Sequence, residues 1–187
     1  MRIIAGQAKG HRIKCLPGRS VRPTQDRIRE AVFSTLAFRI PGSRVLDLFA
    51  GTGAMSLEAL SRGATVAVCV EKDRKACQLI KDNSLHCKLH DRITIVQEDV
   101  IAYLQSIDSS LQNKSEFDII FADPPYFEGY YEKLLQEVAN RDILTRQGIL
   151  VVEGPDIIEL PKEIGQLVCS KTKKYGATII GYYEYQD

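Results

Sequence analysis

RVLDLFAGTGAMSLEALSRGA, residues 44–64, decides the fold. Val45 to Phe49 form a short apolar run broken only by Asp47. Gly51 and Gly53 then punctuate a turn, and Met55, Leu57, Ala59 and Leu60 continue as the apolar part of a helix. A buried strand, a tight glycine turn and a helix, in that order, open a βαβ unit. Downstream the alternation continues. VAVCVE (66–71) reads as a strand and RKACQLIKDNSLHC (74–87) as a helix. ITIVQED (93–99) is a strand, VIAYLQSI (100–107) a short helix and FDIIFAD (117–123) a strand. YYEKLLQEVANRDIL (130–144) reads as a helix and GILVVEG (148–154) as a strand. Five apolar strands separated by amphipathic helices predict a mostly parallel, doubly wound α/β sheet covered on both faces. The last stretch, QLVCSKTKKYGATIIGYYEY (166–185), reads as two strands around a Lys-Tyr-Gly turn, an antiparallel hairpin closing the sheet edge.

Upstream, MRIIAGQAKGHRIKCLPG (1–18) carries two short β-type runs, consistent with a small hairpin. In RPTQDRIREAVFSTLAFRIPG (22–42), Pro23 and the N-cap candidate Thr24 open a helix that Pro41-Gly42 stops. The chain therefore divides into a hairpin-and-helix appendage over 1–40 and an α/β domain over 41–187. With 187 residues, 44% hydrophobic and 26% charged, it is long enough for one well-packed core. No apolar run approaches a membrane span and the first residues lack the core of a signal peptide. Five cysteines without a CxxC pair fit free thiols in a reducing cytoplasm. No apolar stripe calls for a second copy, so a monomer is expected.

Ligands of open α/β sheets bind beyond the carboxyl ends of the strands. At the first such end, Gly51 and Gly53 let backbone approach a ligand, and the helix start after them favours an anion. Asp47, an acid inside the strand, suits a ligand with a positive group. Ser56 replaces the third glycine of a dinucleotide fingerprint, which argues against that ligand class. Glu71 closes the second strand where a carboxylate would take both ribose hydroxyls, and Asp99 follows the third strand within reach of an adenine amino group. With Phe49 on the loop, these residues describe a site for S-adenosylmethionine.

The fourth strand runs directly into ADPPYFEGYY (122–131). Pro124 and Pro125 fix φ and restrict the residue before each, so the turn is rigid. Neither has an N–H. The turn offers the Asp123 carboxylate and the Pro124 carbonyl as acceptors, and Tyr126 as a ring face. Acceptors without donors suit an exocyclic amino group on an aromatic base, held so that its lone pair faces the methyl; such positioning is worth about 7–11 kcal/mol at most. Tyr126 would support a base taken out of its stack.

Charge is unevenly spread. Net charge is +1, but residues 1–39 hold nine Lys or Arg against Asp26 and Glu30, giving +7 against −6 for the remainder. A basic arm on an acidic body points to a polyanionic partner. Asp82, His86 and His90 fall at helical spacing with Cys87 between them, but no second cluster supports a metal site and none is expected.

DPPY after an apolar strand, with a glycine loop at the first strand, resembles the amino methyltransferases, which act on DNA adenine, rRNA guanine or protein glutamine. RIIAGQAKGHRI, RPTQDRIREAVFSTL, VLDLFAGTGAMSLEALSRGA and FDIIFADPPY, in that order and over nearly the whole chain, resemble the RsmD-type bacterial 16S rRNA guanine-N2 methyltransferases. Ala5 stands where that family usually has a second glycine, and Met55 and Ser56 where it has Leu and Gly. The resemblance implies a Rossmann-like class I methyltransferase fold and S-adenosylmethionine as donor. It further implies one guanine of the small ribosomal subunit as target, with catalytic Asp123, Pro124 and Tyr126. Arg2, Lys9, Arg12, Lys14, Arg22 and Arg27 would then meet RNA phosphates, and Arg22 and Thr24 would lie nearest the pocket. Lys171, Lys173 and Lys174 either extend that surface or form a solvated turn. A DNA adenine methyltransferase would need a target-recognition region for which few residues remain. A protein glutamine enzyme does not need the basic arm, and a non-catalytic RNA-binding assembly factor does not need the Asp123–Tyr126 clamp.

Overall fold

The computed structural model describes residues 1–15, 23–107, 117–125 and 130–186, with 23–25 as backbone alone. In chain order the elements are α1 (Pro23–Thr35), β1 (Arg44–Leu48), α2 (Ala54–Ser61), β2 (Val66–Glu71), α3 (Arg74–His86), β3 (Ile93–Gln97) and α4 (Val100–Ser106). They continue with β4 (Phe117–Ala122), α5 (Tyr130–Arg141), β5 (Leu144–Pro155), β6 (Glu163–Ile164), β7 (Leu167–Tyr175) and β8 (Thr178–Tyr185). One eight-stranded sheet runs β3-β2-β1-β4-β5-β8-β7-β6. The first five strands are parallel, and β8 returns antiparallel to β5. This is the doubly wound order, and its reversal point lies between β1 and β4, whose carboxyl ends carry the glycine loop and Asp123.

Strand alternation sorts the core into two layers. Val45, Ile119, Phe121, Ile149 and Val151 face α1 and α2, through Val32, Phe33, Leu57 and Leu60. Leu46, Ile120, Ala122, Leu150 and Val152 face α4 and α5, through Leu104, Leu134 and Val138. Both layers are apolar because parallel strands are covered on both sides.

Three boundaries differ from the sequence expectation. Asp142 adopts φ 51°, ends α5 at Arg141 and releases Leu144 into a longer β5. A two-residue strand, β6, pairs with β7 and becomes the sheet edge beyond the expected hairpin. The N-terminal hairpin is a compact loop with a single Arg2–Arg12 bridge, closed by Ile3–His11 and Ile13–Met1 backbone bonds.

The described residues before β1 pack on the sheet itself. Ile3, Ala8, Ile13, Ile28, Val32 and Ile40 are buried in the layer that holds Val45 and Leu57. Gly6 explains the close fit: at φ +80°, a Cβ there would lie 1.8 Å from the Ser61 carbonyl oxygen. Ala5, where the family usually has a second glycine beside Gly6, is not among the residues with positive φ, so it needs no glycine.

Candidate active site

Asp47 is almost fully buried in β1 (3% exposed) and receives two hydrogen bonds on Oδ2, from the Ser56 amide at 3.2 Å and the Ser56 hydroxyl at 2.8 Å. The Cys69 thiol donates in turn to Ser56 Oγ at 3.1 Å. Burial pushes the Asp47 carboxyl up to about 7; the Ser56 bonds oppose this, and repulsion from Asp123 and Glu71 adds to it. A cation placed beside this carboxyl would favour its ionised form. The third fingerprint position is thus Ser for a reason: its hydroxyl anchors that acid.

The loop is built around left-handed backbone at Phe49 (φ 67°), Gly51 (φ 55°) and Gly53 (φ 74°). Glycine carries this without cost, while Phe49 holds a conformation that non-glycine residues seldom adopt, of the kind that clusters at functional sites. Its ring meets the Tyr130 ring edge-on, centroids 5.9 Å apart. Glu71 lies at the end of β2, where its Oε2 accepts from the Gly51 amide and its Oε1 from the Asp73 amide, both at 2.9 Å. Each oxygen keeps acceptor capacity for a hydroxyl. Glu71 therefore also ties the loop to β2, which its spacing from Asp47 does not reveal. The amides of Phe49, Ala50, Gly51, Gly53 and Ser56 are engaged within the protein. Those of Thr52, in the loop, and of Ala54 and Met55, in the first turn of α2, have no hydrogen-bond partner among the described residues, and such amides could donate to an anionic group there. Asp99 caps α4, its Oδ1 accepting from the Ile101 and Ala102 amides at 2.9 and 3.3 Å.

Asp123 follows β4 directly, one residue beyond the Leu48–Ala122 pairing with β1. Pro124 is buried, and its carbonyl accepts a hydrogen bond from the Tyr131 hydroxyl at 3.3 Å. Of the two acceptors expected from the turn, the carbonyl therefore already uses one of its lone pairs within the protein. Tyr126 lies outside the described residues, as does Arg22; for Thr24 only the backbone is described.

Two neighbours of the site were not among its sequence candidates. Tyr130, in the sequence only the first residue of a helix, reaches Phe49, and burial followed by repulsion from Asp99 raises its hydroxyl pKa. Glu153 is half-buried in β5, directly after Val152, which pairs with Ala122; it thus stands on the neighbouring strand beside Asp123. Burial, then repulsion from Asp123, pushes the Glu153 carboxyl up to about 8. The only sequence signal for it was an acid within an otherwise apolar GILVVEG.

Arg2, Lys9, Arg12, Lys14 and Arg27 are all exposed, whereas Arg29 is buried, pairing with Asp26 and donating to the Arg2 carbonyl. Lys173 donates to Thr35 Oγ1 at 2.9 Å and braces α1 against β7. Glu58, fully buried in α2, accepts from the Ile4 and Ala5 amides at 2.8 and 3.0 Å and from Arg62 at 2.7 Å. Ser61 donates to the Ala5 carbonyl and accepts from the Ala8 amide. Glu58 and Ser61 of α2 thus hold the basic arm. Asp82 pairs with Gln78, and His86 stacks edge-on against His11; no metal-binding group of three occurs among the described residues. The five cysteines are free thiols, and no described helix is long and apolar enough to cross a membrane.

A family model described as "Conserved hypothetical protein 95" matches residues 1–184. The putative rRNA methyltransferase YlbH of Bacillus subtilis is 34% identical over 184 residues, covering 98% of each chain. The ribosomal RNA small subunit methyltransferase D of Escherichia coli K12 is 33% identical over 154 residues, 82% of this chain and 74% of its own. The solved structure of the putative methyltransferase yhhF from Escherichia coli matches with TM-score 0.85 at 28% identity, covering 100% of this chain and 98% of that one. From the arm held by Glu58 to the Asp123–Pro124 turn, the chain belongs to the RsmD-type family.

Proposed function

We propose that the protein transfers a methyl group from S-adenosylmethionine to the exocyclic N2 amino group of a guanine in small-subunit rRNA. The observation that carries this reading is the juxtaposition at the β1/β4 reversal point. The buried Asp47 lies beneath the glycine loop on one strand, and the Asp123–Pro124 acceptor pair follows the adjacent one. The names of the relatives, rRNA methyltransferases, support the reaction and substrate class.

The residues fit the donor. Asp47 provides a carboxylate for its positive groups, the start of α2 free amides for its carboxylate, and Glu71 a fixed acceptor for its ribose. When bound, S-adenosylmethionine supplies an electrophilic methyl group. Asp123 and the Pro124 carbonyl accept the two N–H groups of the substrate amine and hold its lone pair in line. Proton removal follows transfer, because the methylated aryl ammonium is strongly acidic, and Asp123 stands ready to accept that proton. Arg2, Lys9, Arg12, Lys14 and Arg27 meet phosphates and orient the target without reading its sequence.

The test is tritiated methyl transfer from S-adenosylmethionine to small ribosomal subunits carrying unmodified rRNA, with Asp123→Ala as the paired variant. Incorporation that the variant lacks, located at guanine N2 after digestion, is the expected result. No incorporation by folded, donor-binding protein would overturn the substrate assignment and bring forward a non-catalytic RNA-binding role.

A further inference from the structure

Asn83, in α3, is 1% exposed and belongs to none of the roles above. Its Oδ1 accepts from the Lys14 amide at 2.9 Å, and its Nδ2 donates to the Lys14 carbonyl at 3.1 Å and to the Thr52 carbonyl at 3.0 Å. Both amide protons and the oxygen are used. Lys14 is one of the exposed basic residues of the arm, and Thr52 lies between the two glycines of the donor loop.

We propose that Asn83 is a positioning residue that couples the basic arm to the donor loop, so that RNA engagement and donor binding strengthen one another. This rests on the functional reading above.

Three features carry the inference. Glu58 and Ser61 anchor residues 4–8 of the arm to the middle and far end of α2, away from the loop, whereas Asn83 joins the arm to the loop itself. A primary amide can make this three-way bridge because it has two donors and an acceptor in one plane. An aspartate of the same shape would lose both donations, and a leucine would lose all three bonds. Burying the amide is costly unless every polar atom is paired, so losing either segment from the bridge leaves Asn83 partly unsatisfied. Fixing Thr52 from the donor side therefore lowers the ordering cost of Lys14, and fixing Lys14 from the RNA side lowers that of Thr52. By linkage the two effects are equal.

The experiment is equilibrium dialysis of tritiated S-adenosylhomocysteine against the protein, with and without small ribosomal subunits carrying unmodified rRNA, for wild type and Asn83→Ala. Wild type is expected to bind about tenfold more tightly with subunits present. In Asn83→Ala that ratio falls towards one, while bare donor affinity changes less. A merely structural Asn83 would lower the melting temperature of the variant and leave the ratio at its wild-type value, and that result overturns the proposal. Should Asn83→Ala fail to fold, hydrogen exchange of the Lys14 amide is followed in the wild-type protein. Slowing by severalfold on adding S-adenosylhomocysteine supports the bridge, and an unchanged rate overturns it. Methyl transfer by the same wild-type preparation separates the two levels. Transfer without a coupling ratio sinks the coupling alone, and failure to bind or methylate RNA sinks the functional reading together with it.

Discussion

Asp47 and Ser56 meet twice at one oxygen: the amide and the hydroxyl of Ser56 both donate to Asp47 Oδ2. These are the bonds that hold down the pKa of an acid that burial raises to about 7. In the unfolded chain the same carboxyl ionises near 4. Its folded pKa is the higher one, so its contribution to stability is fully present below the unfolded value and is lost as pH rises to about 7. Asp47→Asn, which does not titrate, should therefore gain stability relative to wild type as pH rises from 4 to 8, as followed by thermal melts. Donor binding reads the same group in reverse. Affinity for S-adenosylmethionine should rise with pH up to about 7, with proton uptake by buffer below that, measurable by calorimetry in two buffers of different ionisation enthalpy. Ser56→Ala removes one charge-assisted bond and should weaken donor binding at pH 7 by about tenfold.

Glu153 offers a second titration with a different outcome. Its carboxyl is pushed up to about 8, with Asp123 at the next strand end as one cause. The sign is the same: stability present at low pH is lost as pH climbs from the ordinary carboxyl range through about 8. Glu153→Gln should melt at the wild-type temperature at pH 4 and above it at pH 9. Asp123→Asn removes the neighbouring charge and should lower the pH at which wild-type Glu153 ionises. On the proposed function, the same variant should cut methyl transfer by about 10²-fold or more, because it replaces the acceptor for the substrate amine with a partial donor. Equal melting of Glu153→Gln and wild type across the whole pH range would show that Glu153 is not a buried acid beside Asp123.

The mostly parallel sheet and the turns that end its first and fourth strands were legible in the sequence because both depend on local pattern. Short apolar runs alternating with amphipathic helices dictate a covered parallel sheet, and a Gly-x-Gly turn or Asp-Pro-Pro can only sit where a strand ends. What escaped were relationships between segments far apart in the chain. Glu153 was invisible because nothing in GILVVEG says which strand lies beside it; only the β4–β5 register sets it next to Asp123. Tyr130 does not stand out in its helix because its contact with Phe49 crosses 81 positions. Glu58 and Asn83 look like ordinary helix residues until the arm they bind, 53 to 69 positions earlier, is seen folded against them. β6 was missed because a two-residue strand has no periodicity to read.

The arm's attachment can be cut at one atom. Gly6 has φ +80°, and any side chain there would place its Cβ 1.8 Å from the Ser61 carbonyl oxygen, a backbone atom that cannot swing away. That carbonyl also accepts from the Gln7 amide at 2.8 Å, so the clash and the lost bond fall at the same point. Gly6→Ala must either distort the end of α2 or release residues 4–8 from it. Release exposes the buried Glu58 carboxylate, which is then left with Arg62 as its partner, and it uncovers Ile3 and Ala8. A left-handed alanine alone costs about 1–3 kcal/mol, and the clash adds to it, so denaturant unfolding should show a loss above about 2 kcal/mol. Limited proteolysis should then cut within the first fifteen residues of the variant and not of wild type. If release leaves the donor loop intact, bare S-adenosylmethionine affinity should change little while rRNA methylation falls mainly through a raised KM for subunits, because phosphate contacts position the target. An unaltered KM in a variant whose arm is demonstrably cleavable would mean that the basic residues of the arm do not carry the RNA.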